Sequence, residues 1–273
     1  MYLTALISLA ARASGKRIIL HHHTNAHITQ RVRRMRILSA FSGKNAFHVT
    51  VCKTMSSDLF AAYPRVCRTL EYSNIDSVDP ALLALPRRNG RGLTLGFMSN
   101  LTVEKGIGSA IDTFREALRL RLADRIVLAG PCNDEKSRQI LDEAMVEFAE
   151  KLVYLGPVYG ADKLSFFEMI DLFLFPSTYA NETQGIVNLE ALAAGLPIVA
   201  FGQCCIPSDL DVASCTVVEP SGGPEAFSTA VLQMSRRLKT EPPEHVAEMS
   251  RERFRQLQLE HEQQKAALLD VLG

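Results

Sequence analysis

FPSTYANETQGIVNLEALAAGLPIVA, residues 175–200, is the stretch from which the rest of the chain is read. A strand ends at Phe175, just before Pro176. A polar loop carries Ser177, Thr178, Asn181 and Glu182. Gly185 then opens a helix, and an apolar run returns at Pro197–Phe201. The first N–H groups of a helix lack intrahelical partners and, with the helix dipole, favour phosphate. Gly185 allows a close backbone approach there, with the amides of Ile186 and Val187 just behind it. Glu190 lies eight residues after Glu182, inside the helix, on the side of Ile186 and Val187. A carboxylate so placed can accept hydrogen bonds from vicinal ribose hydroxyls. Next to Ala191, Ala193 and Ala194 it would otherwise be costly to bury. A bare pair of glutamates at this spacing would be ordinary surface residues, so the strand, the glycine and the return strand carry the reading.

The same alternation extends upstream. Strands are expected at Leu93–Met98, Arg125–Ala129, Leu152–Leu155, Leu172–Phe175 and Pro197–Phe201. Helices are expected at Gly108–Leu122, Lys136–Glu150, Asp162–Met169 and Gly185–Ala194. Short apolar strands alternating with helices imply right-handed crossovers and a parallel sheet, whose ligands bind at the carboxyl ends of the strands. Before residue 86 the pattern is helix, strand, helix, strand. A helix carries Leu3, Leu6, Ile7 and Ala10 on one face, followed by a strand at Arg17–His21, a basic helix at Gln30–Phe41 and a strand at Ala46–Cys52. PRRNGRG, Pro86–Gly92, combines Pro, Gly, Asn and charge and reads as a domain boundary. The tail from Pro242 is a long polar helix.

Bulk properties remove some classes of function. The chain has 273 residues, 47% hydrophobic, with 30 basic and 30 acidic side chains. No whole-chain field would draw nucleic acid, so none is expected as a partner. Arg31, Arg33, Arg34 and Arg36 cluster, with Arg12, Lys16 and Arg17 before them. They read either as a solvated helix face or as a patch for anionic membrane. No apolar run approaches the ~18–20 residues that span a bilayer. Met1–Gly15 lacks a positive n-region, and Arg12 falls where a small-residue cleavage site is wanted. A cytoplasmic protein, peripheral at the inner membrane face, is the expectation. The six cysteines form no C-x-x-C pair.

The 175–200 stretch resembles the E-x7-E signature of glycosyltransferase family 4, the retaining enzymes of GT-B fold. Pro176-Ser177, Glu182, Gly185, Glu190-Ala191, Ala193, Gly195, Pro197 and Val199 match it. Gln184 stands where an aromatic is common. SNLTVEKG, Ser99–Gly106, resembles the family's G-R-L-x-x-E-K-G. The resemblance gives Lys105 the donor diphosphate, with Asn100 in place of the family's arginine. LHHHTNAH, Leu20–His27, resembles the segment whose histidine faces the donor sugar, which points to His23. The rival readings are an ordinary polar loop histidine and a metal site on His21 and His23, which share one strand face. YLGPV, Tyr154–Val158, resembles the segment that holds the base through its backbone, which brings in Val158. NID at Asn74–Asp76 resembles the segment that leads into the interdomain hinge. Asp209-Leu210-Asp211 spells the D-x-D of metal-dependent GT-A enzymes but does not follow a strand end of that fold, so no metal is expected and the only small molecule implied is the donor.

Together these imply an α/β protein of GT-B type. A Rossmann-like donor domain spans 87–240, preceded by a shortened Rossmann-like acceptor-side domain at 1–86. A C-terminal helix at 241–273 packs back across both. The implied activity is retaining transfer of a hexosyl group from a nucleotide-diphosphate sugar to a glycan or lipid-linked acceptor. Glu182, Lys105 and His23 would be the catalytic set. Asn100, Val158, Ser177, Gly185, Ile186, Val187 and Glu190 would hold the donor. The alternative is a non-catalytic module that binds a nucleotide sugar.

Overall fold

A computed structural model describes residues 1–87 and 92–273. The boundary expected within Pro86–Gly92 therefore falls mainly outside the described residues. The elements run α1 (Tyr2–Ala13), β1 (Ile19–His21), α2 (Ala26–Thr29), α3 (Arg33–Ser42), β2 (Phe47–Thr50), α4 (Lys53–Ala62), β3 (Arg68–Glu71), β4 (Thr94–Met98) and α5 (Ile107–Arg119). They continue with β5 (Arg125–Ala129), α6 (Glu135–Phe148), β6 (Leu152–Tyr154), α7 (Ala161–Met169), β7 (Leu172–Phe175) and α8 (Ile186–Ala193). β8 (Ile198–Phe201), α9 (Ile206–Asp209), β9 (Cys215–Val218), α10 (Gly223–Leu238) and α11 (Pro243–Leu272) complete the chain. By internal contacts it divides into two compact units. One comprises Met1–Asp76, Ala180–Gln184 and Gln258–Gly273, and the other Ser77–Tyr179 and Gly185–Leu257.

The larger unit holds a six-stranded sheet in the order β6-β5-β4-β7-β8-β9. All its pairings are parallel. β4, β5, β7 and β8 read as continuous apolar runs because helices cover both faces of such a sheet. Phe97, Leu128, Leu174 and Phe201 pack with Phe114 of α5 and Phe227 of α10 in one buried core. Each such side chain contributes roughly 1.5–3 kcal/mol on burial. The strand order reverses between β4 and β7. The chain winds outward through β5 and β6, then returns to the other side of β4. In an open parallel sheet, the crevice at the carboxyl ends of two such strands is where ligands bind.

The smaller unit is built on a three-stranded parallel sheet, β1-β2-β3. Val49 of β2 with Met35, Leu38, Met55 and Leu59 of the flanking helices is buried in its core. α1 packs on α3. It does so through small residues, Ala5 and Ser8, and the apolar face expected on this helix points to solvent: Leu3 is 71%, Leu6 59% and Ile7 59% exposed.

Candidate functional site

At the carboxyl ends of β4 and β7, two loops are tied together. The Thr178 amide donates to the Glu104 carbonyl at 2.8 Å. Gly106, the N-cap of α5, has φ 93° and packs under Pro176 so closely that a Cβ would collide with the Pro176 carbonyl. The Lys105 amide donates to Thr102 Oγ1 at 3.2 Å, which fixes the turn. The Lys105 ammonium sits 4.4 Å from the Tyr179 ring centroid, a cation–π distance. Ser177 is fully buried in the same loop, while Asn100 is exposed. Lys105 and Ser177 are thus brought to one place from loops some seventy residues apart in sequence.

Gly185 is the N-cap of α8 with φ 60°. A Cβ there would come 2.8 Å from Asn188 Nδ2 and 3.0 Å from the Phe175 ring. Glycine is therefore needed for both its backbone angle and its lack of side chain. Ile186 is exposed and Val187 half-buried at the first turn. Glu190 is buried one turn further on. It does not stand alone, because Lys163 Nζ of α7 lies 2.8 Å from Glu190 Oε1. Burial pushes the Glu190 carboxyl above its usual range, and the Lys163 ammonium opposes that shift. Lys163 is a candidate site residue that the sequence does not reveal, since nothing local marks a helix lysine as the partner of a glutamate 27 residues on. Asn188 is another: it is buried beside Gly185, and neither its Oδ1 nor its Nδ2 has a partner among the described residues. Val158 is buried in the loop after β6. That loop is joined to the end of β5 by the Gly130 amide, which donates to the Gly156 carbonyl at 2.7 Å.

Glu182 and His23 belong to the smaller unit. Glu182 is buried in the segment Ala180–Gln184. Gln184 fastens this segment within the unit. Its Oε1 accepts from the Asn74 amide at 2.9 Å and its Nε2 donates to Ser73 Oγ at 2.8 Å. A polar anchor therefore occupies the position where the family's pattern has an aromatic. His23 is exposed just past β1, and its ring lies 4.1 Å from that of His21, as the shared strand face requires.

Between these two exposed histidines, His22 points inward and stands in the middle of a chain of imidazoles that runs from the surface to buried His48. His22 Nδ1 meets His27 Nε2 at 3.0 Å and His22 Nε2 meets His48 Nδ1 at 2.9 Å. Thr24 Oγ1 lies 3.0 Å from His27 Nδ1. Burial, reinforced by the other imidazoles, pushes His22 down to about 3, and burial pushes His48 down to about 4. Both rings are neutral near neutral pH. Each neutral imidazole offers one N–H and one lone pair, so the bonds run in a single direction along the chain.

A parallel sheet whose strand order reverses between β4 and β7, with crossover helices between its strands, defines a doubly wound α/β domain. More specifically, the sequence profile described as glycosyl transferases group 1 matches residues 92–237, more than half of the chain, and the protein belongs to that family. Its curated relatives include two alpha-monoglucosyldiacylglycerol synthases. That of Streptococcus pneumoniae is 29% identical over 113 residues, 40% of this chain and 24% of the relative. That of Acholeplasma laidlawii is 33% identical over 104 residues, 37% of this chain and 25% of the relative. The matched region thus spans about a quarter of those relatives' length. Among solved structures, Anabaena Alr3699/HepE in complex with UDP aligns with TM-score 0.74 at 14% identity, over 98% of this chain and 76% of that one. TarM aligns with TM-score 0.71 at 15% identity, over 94% and 50%. At such identities the likeness speaks to fold, and the α/β architecture of GT-B type expected from the sequence is the one observed.

Proposed function

We propose that the protein is a retaining glycosyltransferase that moves a hexosyl group from a uridine-diphosphate sugar to a lipid-linked or glycan acceptor. The observation that carries this reading is the switch point, where β4 and β7 bring Lys105 beside the loop that leads into Gly185 and α8. In this reading the Lys105 ammonium and the amides of Ile186 and Val187 stabilise the departing diphosphate, charge that develops in the transition state. Glu190, oriented by Lys163, accepts the ribose hydroxyls. The backbone at Val158 holds the base, and Ser177 and Asn100 flank the phosphates. Glu182 and His23 orient the transferred sugar. In this reading the positive charge facing the diphosphate is that of Lys105 and the helix-start amides, and no metal is expected. The uridine assignment is supported by HepE, whose crystals hold UDP, UDP-glucose, or UDP with glucose. A lipid acceptor is supported by the glycolipid synthases among the relatives.

A lipid acceptor also suits a protein that works at a membrane surface from the cytoplasmic side. No helix among the described residues is long and apolar enough to cross a membrane. The exposed apolar face of α1 lies beside α3, where Arg31, Arg33, Arg34 and Arg36 are all exposed and Arg34 stacks over Tyr2 at 5.7 Å. Such a face is suited to peripheral contact with anionic lipid.

The test is turnover of radiolabelled UDP-hexoses with diacylglycerol and glycan acceptors. Lys105→Ala and Glu182→Ala are expected to lower kcat at least about a hundredfold, the scale of losing one transition-state contact. Unchanged rates in both variants would remove the assignment. The exposed Asn100, in place of an arginine, favours the second reading, a module that binds the nucleotide sugar without transfer. Calorimetric binding of UDP with no turnover of any donor would select it.

A further inference from the structure

The sheet of the smaller unit has a second end, which the transferase reading leaves unused. Three loops lead into the amino ends of its strands: α1 to β1, α3 to β2 and α4 to β3. Together they line a cavity of about 750 Å³, within the ~300–1,000 Å³ typical of small-molecule sites. Every charged side chain on its wall is basic. The first loop supplies Arg12, Lys16 and Arg17, the second Lys44, and the third Arg65 and Arg68. All six are exposed, and none makes an ion pair among the described residues. Arg12, Lys16 and Arg17 are neighbours along the sequence, whereas Lys44, Arg65 and Arg68 join them only in the fold.

The plain alternative is that these cations neutralise helix ends. α1, α3 and α4 do finish here, at Ser14, Gly43 and Tyr63, and the last turn of α11 meets Arg17, whose guanidinium donates to the Val271 carbonyl. Each carboxyl end carries roughly −0.5 charge, so four of them offset only about −2 of six positive charges. The excess is large, and like charges at this density repel one another unless an anion lies among them. Two of the cations are also held in place against the wall. The Arg12 guanidinium lies over Gly43, where a Cβ would stand 3.0 Å from it. Arg68 stacks on the Phe47 ring at 5.2 Å. Adjacent strands are ~4.8 Å apart, so the cations span about 10 Å across three strands. That suits two or three phosphate groups better than a single small ion.

We propose that this cavity, at the opposite end of its own sheet from His22 and His23, is a binding site for a multiply phosphorylated anion. Arginine forks pair with phosphate oxygens bidentately, and the scattered lysines neutralise the remainder. The same chemistry is presented by a soluble polyphosphate and by headgroups at an anionic bilayer, and the two are separated experimentally.

Inorganic tripolyphosphate is titrated calorimetrically into the full chain, into the triple variant Lys44→Gln/Arg65→Gln/Arg68→Gln, and into Lys105→Gln. The triple variant is expected to bind at least about tenfold more weakly, three exposed ionic contacts being lost. Lys105→Gln should keep the cavity affinity. The three substituted side chains are exposed, so an unchanged melting temperature reports an intact fold. If the triple variant melts early, Arg65→Gln alone is read the same way, with a loss of about two- to fivefold. Sedimentation with phosphatidylcholine vesicles, with and without phosphatidylglycerol, assigns the source. Retention on the anionic vesicles that tripolyphosphate displaces and the triple variant lacks identifies lipid headgroups. Tripolyphosphate binding without retention identifies a soluble ligand. Binding that the triple variant preserves, binding that Lys105→Gln alone abolishes, or no binding of either probe overturns the proposal.

Discussion

The buried histidine chain makes a prediction whose size follows from the structure. His22 and His48 are neutral when folded, with pKa values pushed down to about 3 and about 4, whereas in the unfolded chain each titrates near 6.5. A depressed histidine favours the native state fully above the unfolded pKa, and that advantage is lost as pH falls through the window between the two values. At about pH 5 both rings are protonated in the unfolded chain and still neutral in the native one. The loss relative to about pH 8 is ~1.5 units for each, or ~2 kcal/mol, and ~4 kcal/mol for the pair. That is a large part of the 5–15 kcal/mol a domain usually has. Urea unfolding followed by far-ultraviolet circular dichroism across this range reads it directly. Carboxylates add their own pH dependence, so the diagnostic quantity is the difference from the variant His22→Gln/His48→Asn. That variant should be less stable at neutral pH but show a slope shallower by up to two protons. Ring-proton shifts of His22 and His48 in the native protein should also stay flat down to about pH 5. Equal slopes in the two proteins, or a ring titrating near 6.5, would refute the argument.

Three further outcomes are expected. Gly106→Ala forces a side chain into a left-handed backbone against the Pro176 carbonyl. It should cost about 1–3 kcal/mol and weaken UDP binding measured by calorimetry, through displacement of the Lys105 loop. Lys163→Met leaves Glu190 buried without its cation. A stability loss of ~1–2 kcal/mol is expected, less than for a fully buried pair because Lys163 reaches solvent. Removing the ammonium raises the Glu190 carboxyl further, so UDP affinity should fall as pH drops, and at higher pH than in the wild type. Arg87 donates to the carbonyls of Ala194, Phe167 and Ile170 at 3.0–3.2 Å, closing the ends of α7 and α8. Arg87→Ala should lower stability by about 2 kcal/mol, charged hydrogen bonds being the stronger kind, read as a lower melting temperature.

The larger unit was legible because its strands are buried on both faces. LTLGFM, RIVLA, LFLF and PIVAF stand out as apolar runs, and each falls on an observed strand. β3 is RTLE, with an exposed arginine and no buried residue, so it has no apolar signature. α10 is marked by Phe227, Ala230, Val231 and Met234, which lie on one buried face at helical spacing. The site divides in the same way. Gly185 and Glu190 show themselves locally, through a strand end and a helix start. Lys163 and the cavity of six cations depend on crossovers that bring distant segments together. In LHHHTNAH the alternation that puts His21 and His23 on one face also turns His22 inward. Its partner His48 is 26 residues away on β2 and carries no mark of its role. For α1, amphipathicity was legible but its orientation was not, because the sequence does not say that Ala5 and Ser8 meet α3.

The β4–β7 pairing also bears on how the protein is made. Leu95 pairs with Ile126 in β5 but with Leu172 in β7, so the site-forming contact closes a far longer loop than its neighbour on the other edge of the same strand. Closing long loops comes late, since chain entropy is lost before distant contacts compensate it. β4, β5 and β6 can assemble as the chain emerges, whereas the two loops that cradle Lys105 and Gly185 meet only once β7 has docked. In refolding, recovery of nucleotide binding should therefore lag behind recovery of helical signal. During synthesis, a chain halted before β7 would carry Lys105 and half of the six-stranded sheet, yet lack the second loop of the proposed site.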